Sequence, residues 1–158
     1  MARKKKAAKK AVRKPVKKKK AARPKRSKPE SLRLRSAQAG YTVNDLEKSV
    51  AFYRDILGFT VGEQWKDEGK LMGAEMVAGA VKLWLGQDDW KKGRDRLKGE
   101  GVRMYFETIQ SVDEIADRIK ASGGQLLHDP QTQPWGTRDF GITDPDGYRI
   151  TIQNLKKR

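Results

Sequence analysis

One pattern occurs twice in this chain, and the repetition restricts the available folds more than any single motif does. NDLEKSVAFYRDILG begins at Asn44 and SVDEIADRIKASGG begins at Ser111, 67 residues later. In the first, Asn44 is placed to cap a helix, with Glu47 three residues on. Leu46, Val50, Tyr53 and Leu57 then recur at helical spacing as one apolar stripe. Gly58 is positioned to end that helix in a left-handed conformation. In the second, Ser111 to Glu114 reads as a capping box, and Val112, Ile115, Ala116 and Ile119 supply the stripe. Gly123-Gly124 closes it.

Short apolar segments surround both helices in the same order. Residues 34–43 precede the first helix, and 59–65, 71–77 and 80–85 follow it. Residues 102–108 precede the second, and 125–128, 137–142 and 148–153 follow it, with DPDG at 144–147 as the turn before the last strand. The prediction is an α+β fold, in which tandem βαβββ modules at about 37–86 and 101–155 form a curved mixed sheet around a cleft. A polar linker, QDDWKKGRDRLKGEG, joins them. Strand alternation sends Tyr148, Ile150 and Ile152 to the helix side and Arg149, Thr151 and Gln153 to the cleft.

The charge is divided quite differently. The first 36 residues hold 18 Lys or Arg and one acid, Glu30, against 18 basic and 19 acidic residues in the remaining 122. The net charge of +16 therefore belongs to an appended segment, residues 1–36, and the domain at 37–158 is close to neutral. Like-charge repulsion, three prolines and the lack of any aromatic residue predict a disordered basic arm. Its expected partner is nucleic-acid phosphate, without sequence specificity, since no base-reading element accompanies the charge. The contacts are assigned to Lys4, Lys5, Lys6, Lys9, Lys10, Arg13 and Lys14, and to Lys17, Lys18, Lys19, Lys20, Arg23, Lys25, Arg26 and Lys28. A solubilising tail, a nuclear import signal and an acidic-membrane contact are the competing readings of such a run. The lysine-alanine-proline phrasing resembles the tails of linker histones and of some bacterial histone-like proteins.

The domain has length enough for one core. It contains no Cys, which excludes disulfides and thiolate metal sites. No apolar run approaches the roughly 18 residues of a membrane span, and no apolar stretch follows the charges as in a secretory signal. The expected location is the cytoplasm, on the nucleoid, or the nucleus in a eukaryote.

VNDLEKSVAFYRDILGF followed by PWGTRDFGITDPDGYRITI resembles the vicinal oxygen chelate superfamily, also called the glyoxalase/bleomycin resistance/dioxygenase superfamily. The resemblance covers nearly all of residues 37–155. It implies a cleft in which enzymes of the family hold a divalent metal through His and Glu at four strand positions. Those positions fall here on Gln38, Trp84, Arg103 and Thr151, none of which is His or Glu. Glu100, Glu107 and His128 are stray candidates, the last expected at a loop or strand edge. An amide, an indole, a guanidinium and a hydroxyl do not make a Zn²⁺, Fe²⁺ or Mn²⁺ site, so no metal and no cofactor is expected.

The resemblance then points to the bleomycin resistance branch, whose members bind a ligand without chemistry in a cleft often shared between two chains. The expected cleft residues are Gln38, Trp84, Arg103, Tyr105, Trp135, Arg138, Arg149 and Thr151, suited to a heteroaromatic or anionic small ligand. A sequestering homodimer tethered to DNA is the leading reading. A glyoxalase-like lyase using Glu107 or Asp139 as acid/base, and a dimeric DNA-bridging nucleoid protein, are the alternatives. Deleting residues 1–36 is expected to abolish duplex-DNA binding without unfolding the domain. The intact chain should lose affinity steeply with salt in a filter or mobility-shift titration, at about 0.9 log units per neutralised phosphate for each log unit of salt.

Overall fold

Each strand–helix–strand unit covers one face of a sheet with its own helix, and the sheets follow from that. The computed structural model describes residues 36–94 and 96–155. The basic segment, with the nucleic-acid contacts assigned to it and its expected disorder, lies outside the described residues.

The first half runs β1 (Ala39–Val43), α1 (Leu46–Ala51), a π-helical continuation (Phe52–Ile56), β2 (Thr60–Asp67), β3 (Lys70–Ala78) and β4 (Val81–Gln87). The second runs β5 (Arg103–Thr108), α2 (Val112–Ala121), β6 (Leu126–Thr132), β7 (Arg138–Thr143) and β8 (Arg149–Asn154). Two four-stranded sheets result, ordered β1-β4-β3-β2 and β5-β8-β7-β6. In each, the first strand pairs parallel with the last and the other pairings are antiparallel. The repeated pattern is thus two copies of one mixed sheet.

The expected helix stripes are buried: Leu46, Val50, Tyr53 and Leu57 on one side, Val112, Ile115, Ala116 and Ile119 on the other. Ser111 accepts from the Glu114 N–H at 3.3 Å, as the capping box predicts. Gly58 and Gly123 take φ values of 78° and 86°, and both helices stop there. The first cap differs from expectation by one residue. Asp45 accepts from the Lys48 N–H at 3.0 Å. Asn44 is engaged elsewhere, its N–H donating to Asp146 at 2.8 Å and its side-chain oxygen accepting from Lys98. After Ala51 the helix widens, and Leu57 N–H reaches the Phe52 carbonyl at 3.2 Å, an i→i+5 bond.

The two halves join through the DPDG turn. Asp144 is buried and accepts three hydrogen bonds, from Tyr53 Oη at 3.1 Å and from the Asp146 and Tyr148 N–H groups at 2.9 Å. Asp146 reaches the first half as well, accepting from Ser49 Oγ at 3.1 Å in addition to Asn44. Tyr148 stacks on Tyr41 with ring centroids 4.1 Å apart and donates to the Thr42 carbonyl at 3.1 Å. Phe59 and Phe106 continue the contact at 5.8 Å. Burial raises the Asp144 carboxyl above the ordinary carboxylate range and lifts the Tyr53 phenol, which also faces Asp144. The Tyr41 phenol is pushed up to about 12, chiefly by burial and then by Asp144.

The linker is tied down by charge. Asp88 is buried and meets Arg96 and Lys98, each at 2.6 Å, and accepts from the Trp90 N–H at 3.1 Å. The Lys98 side chain is only 2% exposed, with its ammonium 4.9 Å from the centre of the Trp90 ring. Hydrogen bonds from Lys98 and then Arg96 hold the Asp88 carboxyl well below the usual range. Gly99 lies so close to the Gly147 carbonyl that a Cβ there would collide with backbone.

Asp144→Ala strips the acceptor from one hydroxyl and two N–H groups, and is expected to cost about 2–4 kcal/mol in denaturant unfolding. Asp88→Asn and Asp144→Asn should change the pH dependence of stability in opposite senses. The folded-state pKa of Asp88 is depressed, so its ionised form contributes above about pH 4 and that contribution disappears as pH falls further. The folded-state pKa of Asp144 is raised, so its contribution is largest below about pH 4 and declines as pH rises through the folded value. Unfolding curves of each variant against the unsubstituted chain between pH 3 and 7 measure both.

Candidate functional site

Alternation decides what each sheet presents away from its helix. In the first sheet Tyr41, Val43, Leu83 and Leu85 go to the core. The register Gly40↔Trp84↔Glu75 places Trp84 and Glu75 on the opposite face. Trp84 is half-buried because its ring lies over Gly73, where a Cβ would stand 2.9 Å from Cζ2. Glu75 is a buried carboxylate on this face. It accepts from Lys82 Nζ at 2.8 Å and from Gln38 Nε2 at 3.4 Å, and Gly62 leaves room for its other oxygen. Lys82 is the main cause that keeps the carboxyl below its ordinary range.

Trp65 was not among the residues expected from sequence. It pairs with Gly73 in register and lines a cavity of about 430 Å³ with Thr42, Met72 and Gln87. A tryptophan paired with a glycine across a hairpin was the available signal, but the pairing is legible only once the β2–β3 register is fixed.

In the second sheet the same face carries the register pairs Arg103↔Arg149, Tyr105↔Thr151 and Glu107↔Gln153, while Met104, Phe106, Ile150 and Ile152 face α2. Arg103 and Arg149 line a cavity of about 590 Å³ together with residues 97–102 and the end of the DPDG turn. Tyr105 shares a smaller cavity of about 390 Å³ with Gln38 and Lys82, so residues from both halves meet there. Thr151 is buried in the middle of the face. The arginines do not pair with Glu107 and Asp139. Those acids bond instead to Gln153 at 3.3 Å and Gln133 at 2.9 Å.

Two expected cleft residues lie elsewhere. Arg138 shares the core-facing parity of Phe140 and Ile142, and it grips Asp113 of α2 through two bonds of 2.7 and 2.5 Å. That pair raises the Arg138 pKa and lowers that of Asp113. Trp135 is exposed in the β6–β7 turn. Of the other six, Arg103, Arg149, Tyr105 and Thr151 share one face of the second sheet, Gln38 meets Tyr105 in the smaller cavity, and Trp84 lies over Gly73 in the first sheet.

The residues do not fit a divalent cation. The four family positions supply an amide that donates to Glu75, an indole, a guanidinium and a hydroxyl. The nearby carboxylate, Glu75, is occupied by Lys82. His128 sits on the edge strand β6, its Nδ1 3.0 Å from the Asp129 carbonyl oxygen. Among the described residues no three of His, Asp and Glu gather as a ligand set.

Comparison with known proteins agrees with this architecture. Residues 35–152 match the Glyoxalase/Bleomycin resistance protein/Dioxygenase superfamily. A bleomycin resistance protein of Geobacillus stearothermophilus is 31% identical over 128 residues, covering 72% of this chain and 92% of that protein. A probable lactoylglutathione lyase of Synechocystis is 30% identical over 127 residues, covering 73% and 92%. A solved superfamily member from Sphaerobacter thermophilus superposes with a TM-score of 0.63 at 24% identity, covering 77% of this chain and 98% of that one. With the duplicated sheets, the helix pattern and the DPDG turn all in place, the chain belongs to the glyoxalase/bleomycin resistance protein/dioxygenase superfamily.

Proposed function

We propose that this protein binds and sequesters a small organic molecule without transforming it, acts as a homodimer, and is held on DNA by its basic N-terminal segment. The observation that carries the reading is the donor set at the four family positions, where Gln38, Trp84, Arg103 and Thr151 supply groups for stacking and hydrogen bonding and no set of ligands for a Lewis acid. The 31% identity to a bleomycin resistance protein supports it. Trp84 lies over Gly73, whose register partner is Trp65, and the two indoles offer flat apolar area for a planar ring system. Bleomycin is cationic and the second sheet exposes two arginines on this face, so planar compounds without positive charge are the better-matched ligands. A second reading, a lyase, draws on the 30% identity to a probable lactoylglutathione lyase.

Titrating the full chain with a panel of planar heteroaromatic compounds, bleomycin among them, tests the reading through tryptophan fluorescence. The expected outcome is saturable quenching unchanged by a chelator, weakened at least tenfold in Trp84→Ala, with the compound recovered intact. Quenching that needs an added divalent metal, or conversion of the compound to product, would reject sequestration in favour of catalysis.

A further inference from the structure

Arg103 and Arg149 occupy a position that a folded chain has reason to avoid. They are register partners on adjacent parallel strands, so their side chains leave the same face about 5 Å apart. Like charges placed directly opposite one another are destabilising. Arg54, Arg96 and Arg138 each hold a carboxylate. Among the described residues, neither Arg103 nor Arg149 has an acidic partner. The next residue of the ladder is Thr143, which carries no charge. The acids of this face, Glu107 and Asp139, lie at its far end, about 13 Å along the strands at 3.3 Å per residue.

The walls of the 590 Å³ cavity show what this pair is suited to receive. Asp146 lines it, yet its two carboxylate oxygens accept from Asn44 and Ser49 on the first half. Lys98 lines it too, with its ammonium committed to Asp88. Glu100 is the remaining acid, exposed on the lining. Leu97 is 77% exposed and Val102 42%, leaving apolar surface beside the arginines.

We propose that Arg103 and Arg149 form a binding site for a small phosphomonoester carrying an apolar or aromatic body. Two adjacent guanidiniums match a group of charge near −2 with several acceptor oxygens, and each can engage it through a planar fork. A carboxylate brings one charge and two oxygens, and satisfies one arginine. The body of the ligand rests on Leu97 and Val102, with Tyr105 two residues further along the same face. This deepens the reading of the domain as a ligand-binding protein, and names the anionic group that one end of its surface takes.

The probe is phenyl phosphate, added to the ¹⁵N-labelled full chain, with the backbone amide signals of Gly99, Gly101 and Gly147 followed individually. These signals separate the cavity from any phosphate contact made by the basic segment. Expected are saturable shifts at all three glycines, affinity lowered about tenfold by Arg103→Gln or Arg149→Gln and lost in the double variant, and affinity raised by Glu100→Gln. Benzoate and inorganic phosphate should each bind at least tenfold more weakly than phenyl phosphate. Unmoved glycine signals, or equal shifts in the double variant with its fold intact by its amide spectrum, would overturn the site. Inorganic phosphate binding as tightly as phenyl phosphate would overturn the assignment of an apolar body. Glycine shifts without tryptophan quenching by any heteroaromatic compound would uphold this site while removing the sequestration reading, and the reverse result would do the opposite.

Discussion

The carboxylate of Asp144 is the point through which the two halves of this domain are held. A buried charge needs several donors to be tolerated, and Asp144 has a phenol from the first half and two backbone N–H groups of its own turn. The turn thereby carries Asp146 to the start of α1 and Tyr148 onto Tyr41. One side chain fixes both a tight turn and an interface, and β8 begins two residues after that turn. The placement of Arg149 and Thr151 on the far face of the second sheet depends on it.

Much of this was readable in the sequence, and the reason is periodicity. Helix stripes, glycine stops and strand alternation are local signals, and the residues placed by them fell on the expected faces, from Leu46 and Tyr53 to Ile150 and Ile152. What was misread depended on partners distant in the chain. Asn44 has the chemistry of a cap, but Asp146 and Lys98, 102 and 54 residues away, claim it, and Asp45 caps instead. Arg138 is expected in the cleft, yet strand parity turns it toward α2, where it meets Asp113. Trp65 is not legible as a site residue in the sequence because its surroundings come from a hairpin register with two irregularities.

The faces away from the helices divide their chemistry unevenly. The first sheet offers tryptophan rings and a carboxylate neutralised by Lys82; the second offers, at one end, two arginines that have no acidic partner among the described residues, and two amide-bonded acids at the other. A metal would require this distribution to be inverted, with donors gathered at the centre, where the chain instead places Trp84 and Thr151. The superfamily scaffold is retained, while the side chains at the four family positions are an amide, an indole, a guanidinium and a hydroxyl.

Lys98 gives the folded state a chemical signature. In a chain with 36 basic residues, this amine is shut away between Asp88, Asn44 and the Trp90 ring. An acylating reagent or acetylating enzyme reaches it only when the linker opens. Modification of that one lysine therefore records how often the linker has opened, while the other described lysines are exposed and carry no such information.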